Sequence, residues 1–176
     1  MRNLNFLKII FLLALCSCNL FKEEEPQLPP ETQTGANTFG CYVNGELFVR
    51  EGIRHLGEPN PRAVYSRSNE ILGISAYQKK SGIYLYITIH KPKEKSDNLE
   101  FDMYYRDYEK EIIIESKKEE NISGEIYFTK FDTINKISSG YFSNIKLYYF
   151  QENSVIKDSV LINQGRFDIK SEIYND

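Results

Sequence analysis

Residues 83–90 alternate strictly between two kinds of side chain. In an extended segment, successive side chains point to opposite faces. One face would carry the aliphatic residues Ile83, Leu85, Ile87 and Ile89, and the other would carry Tyr84, Tyr86, Thr88 and His90. This pattern is typical of a β-strand with one face against a hydrophobic core, so the segment is predicted to be a strand.

Shorter segments with a two-residue period or many β-branched residues occur along the rest of the chain. They lie at residues 38–43, 46–49, 72–77, 99–103, 110–115, 125–131, 137–150, 155–162 and 165–169. Asn44-Gly45 separates the first two, and this dipeptide predicts a hairpin because both turn positions need positive φ. Short strands at a spacing of roughly 8–12 residues predict an all-β fold, a single antiparallel β-sandwich or barrel-like domain over residues 38–176.

The composition also favours sheet over helix. The chain has 13 Tyr, 11 Phe and no Trp, and aromatic residues are enriched in strands. Of its three cysteines, only Cys41 lies in the predicted domain, so no disulfide framework is expected. Cys41 is predicted to be a small buried hydrophobe in the first strand, because a catalytic thiol would need a His partner.

The N-terminus predicts secretion and lipid attachment. Arg2 and Lys8 precede or flank a short apolar run at residues 9–15, which fits a secretory signal and is shorter than the roughly 20 residues of a membrane span. Leu15-Cys16-Ser17-Cys18 resembles the bacterial lipobox. Residues 1–17 are therefore predicted to be a lipoprotein signal peptide and Cys18 the lipid-bearing residue, the alternative being an ordinary cleaved signal with incidental cysteines.

Residues 18–37 are predicted to be an extended acidic and proline-rich tether. Within it, Lys22, Glu23, Glu24 and Glu25 resemble the export signal of Bacteroidota surface lipoproteins. The expected location is the outer membrane with the domain facing the cell exterior. A solvated acidic linker, with retention in the periplasmic leaflet, remains the alternative interpretation of the same residues.

Charge and motifs exclude several classes of function. The net charge is −3, and removing residues 1–17 with Arg2 and Lys8 changes it to −5, so no nucleic-acid partner is expected. We find no nucleophile elbow, zinc-ligand spacing or Gly-rich phosphate loop, and predict no catalytic residue, metal or cofactor.

Glu100 and Asp102 share a strand face as a calcium site would require, although exposed acids do the same. Residues 51–62 are the best candidate for a long functional loop, and a plain connection between strands accounts for them equally well.

Three segments resemble a Bacteroidota lipoprotein domain family of unknown function. They are the opening Thr38–Gly45, the segment Phe131–Phe142 and the closing Gly165–Ile169. The similarity would cover residues 36–171. It implies a single all-β domain behind a lipobox, with no assigned activity and no functional residues to transfer.

The leading hypothesis is a non-enzymatic surface or envelope lipoprotein that binds a glycan or an envelope protein, or is structural. Its candidate binding face is Tyr84, Tyr86 and His90, which alternate with the core residues of the clearest strand. Tyr104, Tyr105, Tyr108 and Tyr148 are also expected outside the core face. A second sheet or solvent covering that face is the alternative. Two other functions stay open: a β-barrel that carries a small apolar ligand in its cavity, and a hydrolase acting on surface polymers.

Overall fold

The computed structural model describes residues 27–50, 59–96, 99–116, 122–151 and 155–175. Cys18 and the predicted export signal Lys22 to Glu25 lie outside these residues, as does most of the loop predicted at 51–62. Within them the chain forms strands and no helix. The strands are β1 Thr38–Val43, β2 Glu46–Val49, β3 Arg62–Ser66, β4 Ile71–Gln78, β5 Ile83–His90, β6 Phe101–Asp107, β7 Ile112–Ser116, β8 Ile122–Asp132, β9 Ile137–Gln151, β10 Val155–Lys170 and β11 Glu172–Tyr174.

The strands form two sheets that pack face to face. The five-stranded sheet has the order β2-β1-β10-β9-β8, and the six-stranded sheet has the order β11-β3-β4-β5-β6-β7. All neighbouring strands are antiparallel except β11 and β3. The predicted all-β class is confirmed, and the architecture is a sandwich.

The Asn44-Gly45 hairpin is confirmed. Both residues have positive φ, 50° for Asn44 and 85° for Gly45, as the predicted two-residue turn requires. The turn also reaches the neighbouring strand, because the Asn44 backbone N–H donates to Leu161 O at 2.7 Å and Asn44 Oδ1 accepts from Leu161 N at 2.8 Å. The first hairpin is therefore attached to β10 at its tip as well as along β1.

The core lies between the sheets. The aliphatic face of β5 is buried in it, as predicted from the alternation of residues 83–90. Large side chains that are fully buried there include Phe39, Phe48, Leu72, Ile74, Leu85, Ile87, Ile89, Met103, Tyr105, Ile126, Phe128 and Phe142. Cys41 is also fully buried, and burial raises the pKa of its thiol. It is a core residue, as expected.

The structure contains two strands that the sequence did not predict. β3 and β11 are short and pair in parallel with each other. Arg62 at the start of β3 donates two hydrogen bonds to Glu172, at 3.0 and 2.9 Å. Tyr174 of β11 pairs with Ser66 of β3. These elements depend on contacts between distant parts of the chain, so local periodicity gave no signal for them.

The last part of the predicted tether lies on the domain. We call residues 29–36 the N-terminal strap. Pro29 is buried over Gly40, and its carbonyl accepts a hydrogen bond from Arg166 at 3.3 Å. Arg166 also contacts Glu31 at 3.4 Å. The strap crosses the outer face of the five-stranded sheet, because Arg166 lies on that face.

Asp168 fixes the strap in place. It is 1% exposed and points to the outer face, since its neighbours in β10, Phe167 and Ile169, point into the core. Its carboxylate accepts five hydrogen bonds from the strap, two from hydroxyls and three from backbone N–H groups, and a sixth from Ser139 in β9 at 2.6 Å. Burial alone would raise the pKa of Asp168, but these hydrogen bonds outweigh it and lower the pKa to about 2.

Candidate functional site

An open aromatic groove lies on the outer face of the six-stranded sheet. We call it the tyrosine groove. Its volume is about 310 Å³, and it is lined by Tyr84, Tyr86, Tyr104, Arg106 and Tyr108. Two of these residues belong to the binding face predicted from β5.

Strand alternation and register assemble the groove from two neighbouring strands. In β6, Phe101, Met103 and Tyr105 are buried in the core, so Tyr104 and Arg106 point to the outer face. The antiparallel pairing then sets Tyr86 opposite Tyr104 and Tyr84 opposite Arg106. Cβ atoms of directly opposed residues are roughly 4.5–5.5 Å apart, close enough for their side chains to form one surface.

The two tyrosines of β5 have different roles in this surface. Tyr84 is only 8% exposed, and its ring packs against Tyr104 with centroids 6.0 Å apart. Tyr86 is 37% exposed. Tyr84 is therefore part of the floor, whereas Tyr86 offers its ring to solvent. The sequence placed both residues on one face but gave no indication of this difference.

Gly73 determines where the Tyr86 ring lies. A Cβ built on Gly73, in the adjacent strand β4, would overlap the hydroxyl group and ring of Tyr86. The phenol ring therefore covers the backbone of Gly73. The space that a side chain at Gly73 would occupy is thus filled by the Tyr86 ring from the neighbouring strand. This contact holds the exposed tyrosine against the sheet.

The other end of the groove is a stack of three side chains. The guanidinium carbon of Arg106 lies 4.1 Å from the centroid of the Tyr108 ring. Tyr108 in turn meets Tyr77 of β4 edge-on, with centroids 6.4 Å apart and an interplanar angle of 87°. Tyr108 is held from both sides, although it is 46% exposed. These contacts limit the motion of the only cationic side chain in the described lining of the groove.

His90 does not line the groove. Its Nε2 lies 2.9 Å from Asp102 Oδ2, at the end of β5 remote from Tyr84. Asp102 is thereby engaged by a ring nitrogen, whereas the calcium interpretation would have used it together with Glu100. Within the described ranges, no group of three or more His, Cys, Asp or Glu residues could hold a metal ion. The calcium interpretation gains no support from this part of the chain.

Three lining residues escaped a firm prediction from the sequence. The strand containing Tyr104 and Arg106 was predicted to end at residue 103, so Tyr104 and Tyr108 were expected outside the core without a strand to place them, and Arg106 was not considered. The same expectation for Tyr105 is wrong, because Tyr105 is buried in the core. The alternation of Phe101, Met103 and Tyr105 was the signal that extends β6. It was obscured because Tyr104 and Tyr105 are the same residue type, one facing out and the other 2% exposed in the core.

Comparisons with known proteins identify no relative. No protein-family model, no curated protein and no solved structure matches this chain. Within the described residues there is no helix with the length and apolarity needed to cross a bilayer.

Proposed function

We propose that this chain is a lipid-anchored lipoprotein of the bacterial outer membrane, displayed on the cell surface, and that its β-sandwich binds glycans through the tyrosine groove. The anchor and the location rest on the sequence, on Cys18 behind the signal peptide and on Lys22 to Glu25 behind the lipid site. The resemblance to Bacteroidota lipoprotein domains agrees with both. Binding rests on the groove, and the protein acts as a non-enzymatic module.

The observation that carries the binding function is the set of four tyrosine rings in an open groove on a rigid sheet. A tyrosine offers a large apolar surface with a polar tip, and immobilising it costs little conformational entropy. A sugar ring has the complementary pattern, with C–H groups on its faces and hydroxyl groups at its edge. Ring stacking with peripheral hydrogen bonds therefore suits the groove.

The groove is preorganised for such contact. Tyr86 is held over Gly73, Tyr84 packs on Tyr104, and Tyr108 is held by Arg106 and Tyr77. Binding sites whose side chains are already ordered lose less entropy when the ligand arrives. The lining consists of phenols and a guanidinium, groups that stack and donate hydrogen bonds, so binding rather than bond cleavage is the proposed activity.

The position of the strap favours access to the groove. The strap lies on the outer face of the five-stranded sheet, whereas the groove lies on the outer face of the six-stranded sheet. These two faces are on opposite sides of the sandwich. A chain tethered to a membrane through the strap would therefore present the groove away from the point where the tether enters the domain.

The experiment is a binding screen of the full chain in detergent against cell-surface and dietary glycans, followed by two matched variants. Tyr86→Ala should weaken binding by roughly tenfold or more, because truncating a Tyr at a binding hot spot costs about 2 kcal/mol or more. Tyr141→Ala is the control, since Tyr141 is 43% exposed but lies on the other sheet, stacked on Tyr127. Equal binding by both variants would show that the glycan does not use the groove.

A carrier of a small apolar ligand, the alternative function, would have to bind that ligand outside the tyrosine groove. Large side chains fill the space between the sheets. A second pocket of about 240 Å³ lies at one end of the sandwich and is lined in part by Val43, Phe48 and Ile83. Lipid that copurifies with the chain and is lost on Phe48→Tyr, with no effect of Tyr86→Ala, would favour that alternative.

A further inference from the structure

We propose that the ligand of the tyrosine groove is an anionic saccharide whose carboxylate or sulfate is bound by Arg106. This inference deepens the proposed function and depends on it. It commits the groove to acidic sugar units, with Arg106 as the residue that selects them.

Arg106 keeps its donors available while its position is fixed. Its guanidinium stacks on Tyr108 at 4.1 Å, which occupies the flat face of the group. The five N–H donors of a guanidinium lie in its plane and point outward from its edge. Stacking therefore orients the guanidinium and leaves its N–H donors available. Two of these donors form a fork that can bind a carboxylate or sulfate through two parallel hydrogen bonds.

Two of the arginines in the described ranges are ion-paired, and the others, Arg106 among them, are not. Arg62 pairs with Glu172 at 2.9 Å, and Arg166 pairs with Glu31 at 3.4 Å. Among the described residues, Arg106 has no carboxylate within ion-pair distance. A cation held in an aromatic groove without an acidic partner is suited to an anion supplied by a ligand.

The register places the charge beside the stacking surface. Tyr86 and Tyr104 form one cross-strand pair, and Tyr84 and Arg106 form the pair two residues further along. Two residues of an extended strand span about 7 Å. A sugar ring on Tyr86 therefore lies within one monosaccharide of Arg106, close enough for an acidic substituent on that unit or the next to reach the guanidinium.

The experiment measures affinities of the full chain in detergent by titration calorimetry. The ligands are three oligosaccharides of equal length: a neutral cello-oligosaccharide, an oligogalacturonate and a sulfated galactan oligosaccharide. The chain should bind at least one acidic ligand roughly tenfold or more tightly than the neutral one, since a charge-assisted bidentate contact contributes at least about 1.4 kcal/mol. Which acidic ligand binds more tightly distinguishes carboxylate from sulfate as the recognised group.

Variants of Arg106 test the residue directly. Arg106→Gln should bring the ratio of acidic to neutral affinity close to one, and Arg106→Lys should keep part of the preference because it retains charge but not the fork. If Arg106→Gln does not fold, the unmodified chain still decides, because acidic affinity should fall with added NaCl and neutral affinity should not.

The outcomes separate this inference from the proposed function. Equal affinity for neutral and acidic ligands, lost on Tyr86→Ala, would overturn the inference and leave the glycan-binding function intact. An acidic preference that survives Arg106→Gln would place the anion elsewhere and also overturn the inference. Absence of binding to every saccharide would overturn both.

Discussion

Asp168→Asn is expected to detach the strap and destabilise the chain. The Asp168 carboxylate is the acceptor in all six of its hydrogen bonds. The substitution removes the charge and turns one acceptor oxygen into an NH₂ donor that faces other donors. Leaving buried donors without acceptors costs about 1–3 kcal/mol, so the free energy of unfolding at pH 7 should fall by about 2–3 kcal/mol.

The lowered pKa of Asp168 also predicts how the stability of the chain depends on pH. Its ordinary value is 3.8, and its folded value is about 2. One pKa unit corresponds to about 1.4 kcal/mol, so the ionised carboxylate stabilises the folded chain by about 2 kcal/mol. Because the folded pKa is the lower one, this contribution is complete above about pH 4 and is lost as the pH falls through about 2.

The assay is urea denaturation of the processed, lipid-free chain, residues 19–176, at pH 7 and at steps between pH 5 and 2. Asp158→Asn is the control, because Asp158 lies on the same strand but is exposed, and surface substitutions usually change stability by less than about 0.5 kcal/mol. Asp168→Asn should lower the stability at pH 7 and flatten the loss below pH 4. Equal stability of Asp168→Asn and Asp158→Asn, or identical acid sensitivity, would show that the carboxylate does not hold the strap.

Three further outcomes are expected. Phe167→Ala should lower the free energy of unfolding by about 3–5 kcal/mol in thermal denaturation, because Phe167 is 3% exposed and packs on Phe128 at 5.4 Å; an unchanged midpoint would mean that the ring is not in the core. Cys18→Ala should abolish incorporation of labelled palmitate while Cys16→Ala retains it, and label retained without Cys18 would refute the anchor. Replacement of Lys22 to Glu25 by alanine should leave a lipidated chain that protease added to intact cells no longer cleaves, whereas equal cleavage of variant and wild type would reduce these residues to a linker.

Strands were predicted accurately where neighbouring side chains differ clearly in polarity. β5 was predicted with its observed ends because every inward residue is aliphatic and every outward residue is polar or a tyrosine. β6 was predicted to stop early because residues 104–108 lack that contrast, with tyrosine on both faces. Only part of the groove was therefore predicted. Alternation along β5 predicted the position of Tyr84 and Tyr86, whereas Arg106 was identified only from the strand register that sets it opposite Tyr84.

Long-range contacts account for the rest. Nothing near residues 29–36 indicates that they meet an aspartate more than 130 residues later in the chain, and their prolines favoured an extended tether instead. β11 similarly pairs with β3 across more than 100 residues, supported by Arg62 and Glu172. Such elements depend on the completed sheets, so the amino-acid pattern within each one carries too little information to predict it.

The most direct test of glycan binding is NMR of the full chain with its tyrosine rings isotopically labelled, titrated with an oligosaccharide that binds in the screen. The account predicts that shift changes concentrate on the rings of Tyr84, Tyr86, Tyr104 and Tyr108. Tyr127 and Tyr141, stacked on the opposite outer face with centroids 5.0 Å apart, should remain unchanged. Shifts confined to Tyr127 and Tyr141, with the groove tyrosines silent, would contradict the assignment of the binding site.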